Sequence, residues 1–176
     1  SPIESAIENG DSQTGVSIIQ LSQEMDAGPI YGCERINLSG HETQPELHRM
    51  LADIGAKLLI KLLPGILSGQ ILPVPQDDNQ ATYCRLLSKD NNLLIPSEIT
   101  AKKAEQIVRA HLNYPKTRLT IGIQNVVITK SHVVNSKKTM LDLECADNNF
   151  LSIDELIVPS GRTMSGRDFL NGYKQN

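Results

Sequence analysis

Tryptophan is absent from this chain and phenylalanine occurs only twice, so aromatic residues make up 3% of the sequence. A core must then come from aliphatic side chains, and the hydrophobic 39% is rich in Leu and Ile. No apolar run reaches the eighteen or so residues a membrane-spanning helix needs. Ser1 to Asn9 is polar and lacks the basic and apolar segments of a secretory signal. The first residue is Ser rather than Met, which fits a processed or truncated product. Cysteine is scarce too. Cys33, Cys84 and Cys145 are odd in number and far apart, which argues against a disulfide framework or a zinc site. Small buried hydrophobes in a reducing cytoplasm are the expected role. There is no Gly-rich phosphate loop, no zinc-ligand spacing and no nucleophile elbow. His41 precedes the expected start of the helix that holds His48, so the two do not share a helix face, and no metal is expected.

With 176 residues the chain can bury a sizeable core, as one domain or two small ones. Charge divides it. Residues 1–84 hold four basic and eleven acidic groups, a net of −7, whereas residues 85–176 hold thirteen basic and nine acidic, a net of +4. An acidic first half joined to a mildly basic second half suggests two modules.

Local patterns fill these in. Ser1 and Pro2 suit a helix start, with Ile3 to Glu8 helical and Asn9-Gly10 as the stop. Gly15 to Leu21 and Ile30 to Leu38 read as strands that could pair antiparallel around the polar loop between them. Thr43 can cap a helix carrying Leu47, Leu51, Ile54, Leu58 and Leu62, kinked or broken at Pro64-Gly65 and ended at Ser68-Gly69. Residues 70–80 hold two prolines and a polar cluster, the best linker in the chain. Thr100 can cap a second clear helix, with Ala104, Ile107, Val108 and His111 as its stripe and Lys102, Lys103, Gln106 and Arg109 on other faces. Short runs follow at Leu119 to Ile123, Val126 to Lys130, Met140 to Cys145 and Leu151 to Val158, the spacing of a small antiparallel barrel. His132 falls in a strand or turn, and Ser165 to Asn171 reads as a last short helix.

One loop stands out, Gln20 to Pro29. A carboxylate at a strand-to-strand turn, followed by Gly28-Pro29, sits on a rigid exposed point. An Asp before Gly in a turn is also an ordinary turn former, so the residues alone leave both roles open for Asp26.

The run from Ser1-Pro2-Ile3 through Asn9-Gly10-Asp11 and Thr14-Gly15-Val16 to Gln20 resembles a signature of the folate-dependent formyltransferases. Glu24-Met25-Asp26-Ala27-Gly28-Pro29-Ile30 is similar to that family's Leu-Asp-Thr/Gly-Gly motif, whose Asp is catalytic. Gln76 to Tyr83 with Leu87-Ser88-Lys89 resembles the stretch joining catalytic domain to C-terminal barrel in methionyl-tRNA formyltransferases. Ile107-Val108-Arg109-Ala110 with Asn113-Tyr114-Pro115 resembles the barrel's first helix and its ending. Gly161 to Ser165 with Asp168-Phe169-Leu170 resembles the last turn and helix. Two stretches depart from the pattern: Leu94-Ile95-Pro96 stands where the family has Ile-Asp-Trp, and His111 to Pro115 where it has Phe-Asn-Pro-Trp-Pro. The family's Asn-x-His motif falls upstream of residue 1, so the chain by itself is expected to be inactive.

The resemblance implies an α/β remnant of a Rossmann-like formyltransferase domain over residues 1–69, a linker over 70–84 and an OB-like β-barrel domain over 85–176. It implies formyl transfer from 10-formyltetrahydrofolate, a co-substrate rather than a bound cofactor, to the amino group of initiator methionyl-tRNA. Asp26 would be catalytic, and Glu24, Met25 and Asp26 would line the folate site. Lys102, Lys103, Arg109, Lys116, Arg118 and Lys130, with Lys137 and Lys138, are the candidate phosphate contacts of the basic half. A cytoplasmic monomer without metal or membrane is expected. Two other functions stay open, an amino-sugar nucleotide N-formyltransferase and a non-catalytic RNA-binding fragment.

Overall fold

The structure, a computed structural model, describes residues 1–172, without the Asn91 side chain. Residues 173–176, the end of the expected second domain, lie outside the described residues. The chain divides into two compact units, one of residues 11–84 and one that joins residues 1–10 to residues 85–176. Among the described residues no helix is long and apolar enough to cross a membrane.

In the first of these units β1 (Gln13–Ile19) and β2 (Ile30–Asn37) form the expected antiparallel hairpin, with Val16 opposite Glu34 and an irregularity between Ile18 and Ile19. The long helix α2 (Gln44–Leu67) covers one face of it. Leu47, Leu51 and Leu58 are buried. Gly32 lets the helix come close, because a Cβ there would lie 2.8 Å from Leu62 Cδ1. Glu46 reaches back to the Thr43 amide at 2.9 Å and completes the start of α2. Pro64 neither breaks nor ends this helix; it sits inside its last turn, where its missing N–H costs one rung of the ladder while the helix runs on to Leu67.

The other unit is built on an antiparallel sheet: β3 (Arg118–Ile121), β4 (Gln124–Val134), β6 (Phe150–Ile157) and β5 (Asp142–Glu144) in that order, with β7 (Thr163–Ser165) on β6. The free edge of β6 is shared. β5 pairs with Phe150 to Ser152, and β7 with Glu155 to Ile157. The sheet is curled, and among the described residues no pairing joins its outer strands β3 and β5 into a closed barrel. Helices α3 (Ala101–Ala110) and α4 (Gly166–Gly172) pack on it. Ala104, Val108, Ile128, Leu151, Leu156 and Phe169 are central to its core. The Thr100 hydroxyl accepts from the Lys103 amide, a cap worth about 1 kcal/mol.

Helix α1 (Pro2–Asn9) packs on α3, and Ala6 and Ile7 are buried. Gly10 ends it in a left-handed conformation, φ 67°, with the Gln106 side chain so close that a Cβ on Gly10 would collide with its carboxamide. Gln106, on a face of α3 other than the apolar stripe, is only 7% exposed. The cysteines also differ from expectation. Cys145 is buried, but Cys33 and Cys84 are exposed, with the Cys33 thiol 3.2 Å from the Ser17 hydroxyl across the hairpin.

Candidate functional site

The loop joining β1 to β2 is closed at its base by the Gln20 amide donating to the Pro29 carbonyl at 2.8 Å. Within it the Ser22 hydroxyl donates to the Glu24 carbonyl at 2.8 Å. Asp26 takes a left-handed backbone, φ 57°, a conformation that costs an L-residue about 1–2 kcal/mol and that Asp tolerates better than most. Gly28 is buried, and a Cβ on it would collide with the Gln20 carbonyl oxygen. The chain can close this tightly only with glycine there. Asp26 is exposed, and so are two apolar side chains of the same loop, Leu21 at 94% and Met25 at 91%. Glu24, Met25 and Asp26 are consecutive on this tip. The Gln76 side chain, from the expected linker, bonds the carbonyls of Asp26 and Gly28. Val74 pairs with Ile30, so this part of residues 70–84 is fastened to the hairpin rather than free.

The basic candidates separate into two groups. Lys103 Nζ donates to the Glu8 carbonyl at 2.6 Å and faces its carboxylate at 3.6 Å. Arg109 is bound to Glu105 through Nε at 2.6 Å and through a second guanidinium nitrogen at 3.0 Å. These two cations are neutralised inside the unit, which argues against the free phosphate contacts expected of them. Lys102, Lys116, Arg118, Lys130, Lys137 and Lys138 are exposed, and none has an ion pair among the described residues. Lys116 and Arg118 lead into β3, Lys130 lies on the neighbouring β4, and Lys102 is in the first turn of α3.

Sequence reasoning missed two arrangements. Glu8 Oε1 lies 2.6 Å from His111 Nε2, with both side chains largely buried, so His111 belongs to an α1–α3 contact as well as to the helix stripe. The His111 hydrogen bond holds the Glu8 carboxyl below its usual value against the opposing effect of burial. Elsewhere, an open groove of about 560 Å³ is lined by Lys138, Asp142, Ser152, Asp154, Arg167 and Leu170 among others. Asp142, 4% exposed, accepts from the Lys138 and Thr139 amides at 2.8 and 2.6 Å and so shapes the loop before β5. Burial pushes its carboxyl up, but these bonds and one from Ser152 bring it below its usual value.

Residues 1–63 match the formyl transferase family model, and residues 88–174 match that of the formyl transferase C-terminal domain. The chain is 32% identical over 182 residues to a methionyl-tRNA formyltransferase of Lactobacillus delbrueckii subsp. bulgaricus, covering 97% of this chain and 58% of that protein. It therefore spans somewhat over half the length of the curated relatives it matches. The fold is similar to that of HypX from Aquifex aeolicus in complex with tetrahydrofolic acid, with a TM-score of 0.74 at 14% identity over 99% of this chain and 33% of that one. It is also similar to methionyl-tRNA formyltransferase from Clostridium thermocellum, with a TM-score of 0.60 at 18% identity over 94% of this chain and 63% of that one. Matched in both its halves, and 32% identical to a named relative over nearly its whole length, the chain belongs to the formyl transferase family.

Proposed function

We propose that this chain carries the loop aspartate and the acceptor-facing unit of a methionyl-tRNA formyltransferase, which moves a formyl group from 10-formyltetrahydrofolate to the amino group of methionyl-tRNA. The observation that carries this is the closed loop with Asp26 exposed at its tip, in a chain that matches relatives of that name over 97% of its length. Glu24, Met25 and Asp26 would border the folate, with Leu21 and Met25 giving its ring an apolar surface to cover.

The acceptor nitrogen attacks the formyl carbon, and a bond between them forms as the bond from that carbon to the folate nitrogen breaks. The attacking nitrogen loses a proton and the folate nitrogen gains one. Asp26 would assist that exchange, a role typically worth about 10²–10⁴-fold. The Asn and His that the family resemblance implies would steady the negative charge on the formyl oxygen.

Residues 1–69 would belong to the catalytic domain, with α1 as the piece that packs beside α3. Residues 70–84 would connect it to the tRNA-facing domain at 85–176, whose curled sheet would be the body of an OB-like barrel. Lys102, Lys116, Arg118 and Lys130, with Lys137 and Lys138, are exposed cations suited to phosphates.

The test is formyl transfer by the product of the complete reading frame that contains this chain. It is offered methionyl-tRNA and, separately, an amino-sugar nucleotide. Formylated methionyl-tRNA supports the assignment. Transfer to the sugar alone would keep Asp26 and overturn the acceptor.

A further inference from the structure

The Asp26 loop is held from outside by one side chain. Pro73 and Pro75 lack an N–H and fix φ, so between them only Val74 can donate from its backbone. Val74 does so, and its pairing with Ile30 is reciprocal, 2.9 Å from Val74 N to Ile30 O and 2.7 Å from Ile30 N to Val74 O. That pairing lays the next residues along the mouth of the loop. Two residues on, Gln76 Nε2 donates to the Asp26 carbonyl at 2.8 Å and to the Gly28 carbonyl at 2.7 Å. A carboxamide nitrogen has two hydrogens, so one side chain satisfies both acceptors. The reversed amide would set Oε1 against two carbonyl oxygens, and this fixes its orientation. The two carbonyls flank Ala27, and the first belongs to the left-handed residue itself. Gln76 therefore clamps the part of the loop whose backbone departs most from an ordinary turn.

We propose that Gln76 is a positioning residue for formyl transfer. Its carboxamide locks the Asp26–Gly28 backbone and so sets where the Asp26 carboxylate points. The proposal rests on Asp26 acting in the transfer. It gives the connecting segment a part in the chemistry besides that of a tether.

Three Gln76 variants and Asp26→Asn, all in the product of the complete reading frame, test this. Gln76→Glu keeps the shape but loses both donors and turns oxygen toward oxygen. Gln76→Ala removes the clamp without repulsion. Gln76→Lys keeps a donor group of similar reach. Single-turnover rate, KM for methionyl-tRNA and thermal melting are measured for each. Since a misplacement of about 1 Å can cost on the order of 10²-fold in rate, Gln76→Glu and Gln76→Ala are expected to lose about tenfold to 10²-fold in the transfer step. KM should stay within about twofold, melting should be unchanged, and Gln76→Lys should recover most of the rate. If Asp26→Asn is inactive while Gln76→Glu and Gln76→Ala turn over normally, the clamp has no catalytic role, although Asp26 keeps its own. If Gln76→Lys is as slow as Gln76→Ala, donation to the two carbonyls is not what matters. Normal turnover by Asp26→Asn would remove the basis of the proposal altogether.

Discussion

Replacing Glu8 by Ala should weaken the unit formed by residues 1–10 and 85–176 more than its place in an eight-residue surface helix suggests. The Glu8 carboxylate lies 2.6 Å from His111 Nε2, with side-chain exposures of 13% and 6%. Removing it leaves that nitrogen without its partner, next to an Nδ1 that is buried and already has no hydrogen-bond partner. An unsatisfied buried polar group costs about 1–3 kcal/mol, and breaking a fully buried ion pair about 3–5 kcal/mol. The pair is not fully buried, and the Lys103 bond to the Glu8 backbone survives, so the lower range applies and a loss of about 2 kcal/mol is expected. The assay is urea unfolding of the wild type, Glu8→Ala, His111→Phe and the double variant. In the His111→Phe background Glu8→Ala should cost less than about 0.5 kcal/mol, because the stranded imidazole is gone. A loss that is the same in both backgrounds, or under about 0.5 kcal/mol in the wild type, would refute the reasoning.

Two further predictions concern acid and salt. Burial alone would raise the Glu42 carboxyl, but bonds from the Ser39 amide and hydroxyl and the Gly40 amide bring it down from 4.5 to about 2. A depressed folded pKa gives stability that is present above 4.5 and lost as pH falls toward 2, so the wild type should lose more melting temperature over that window than Glu42→Gln does. Equal losses would mean that Glu42 does not hold the turn before α2. Neutralising Lys102, Lys116, Arg118 and Lys130 together should weaken tRNA binding and flatten its salt dependence, by about one unit of slope for each phosphate that no longer meets a cation. An unchanged slope would place the RNA elsewhere.

Much of the fold could be read locally. The β1–β2 hairpin and helices α2 and α3 follow from alternation, helical spacing and capping residues such as Thr43 and Thr100. Strand β4 runs on to Val134, beyond the expected end at Lys130; register shifts between Ile128 and Ser131 put the alternation out of phase, so the pattern breaks before the strand does. Strand β7 has three residues, too few to show a period. The harder misses are pairings between distant residues. Glu8 and His111 are 103 residues apart, and Gln76 is 50 from Asp26, so no local pattern points to either pair. The Arg109–Glu105 pair was legible, since a Glu four residues before an Arg on a helix is a standard partner. Weighing that spacing would have set Arg109 apart from the free cations. The Asp26 loop was visible as a turn with a carboxylate, but composition could not tell a turn former from a catalytic group, and the catalytic reading is what the family resemblance implies.

The central claim is that Asp26 takes part in formyl transfer. The most direct measurement is the single-turnover rate from 10-formyltetrahydrofolate to methionyl-tRNA for Asp26→Asn, made in the product of the complete reading frame. The account predicts a fall of about 10²–10⁴-fold with an unchanged circular dichroism spectrum and melting curve. A rate close to that of the wild type would contradict it.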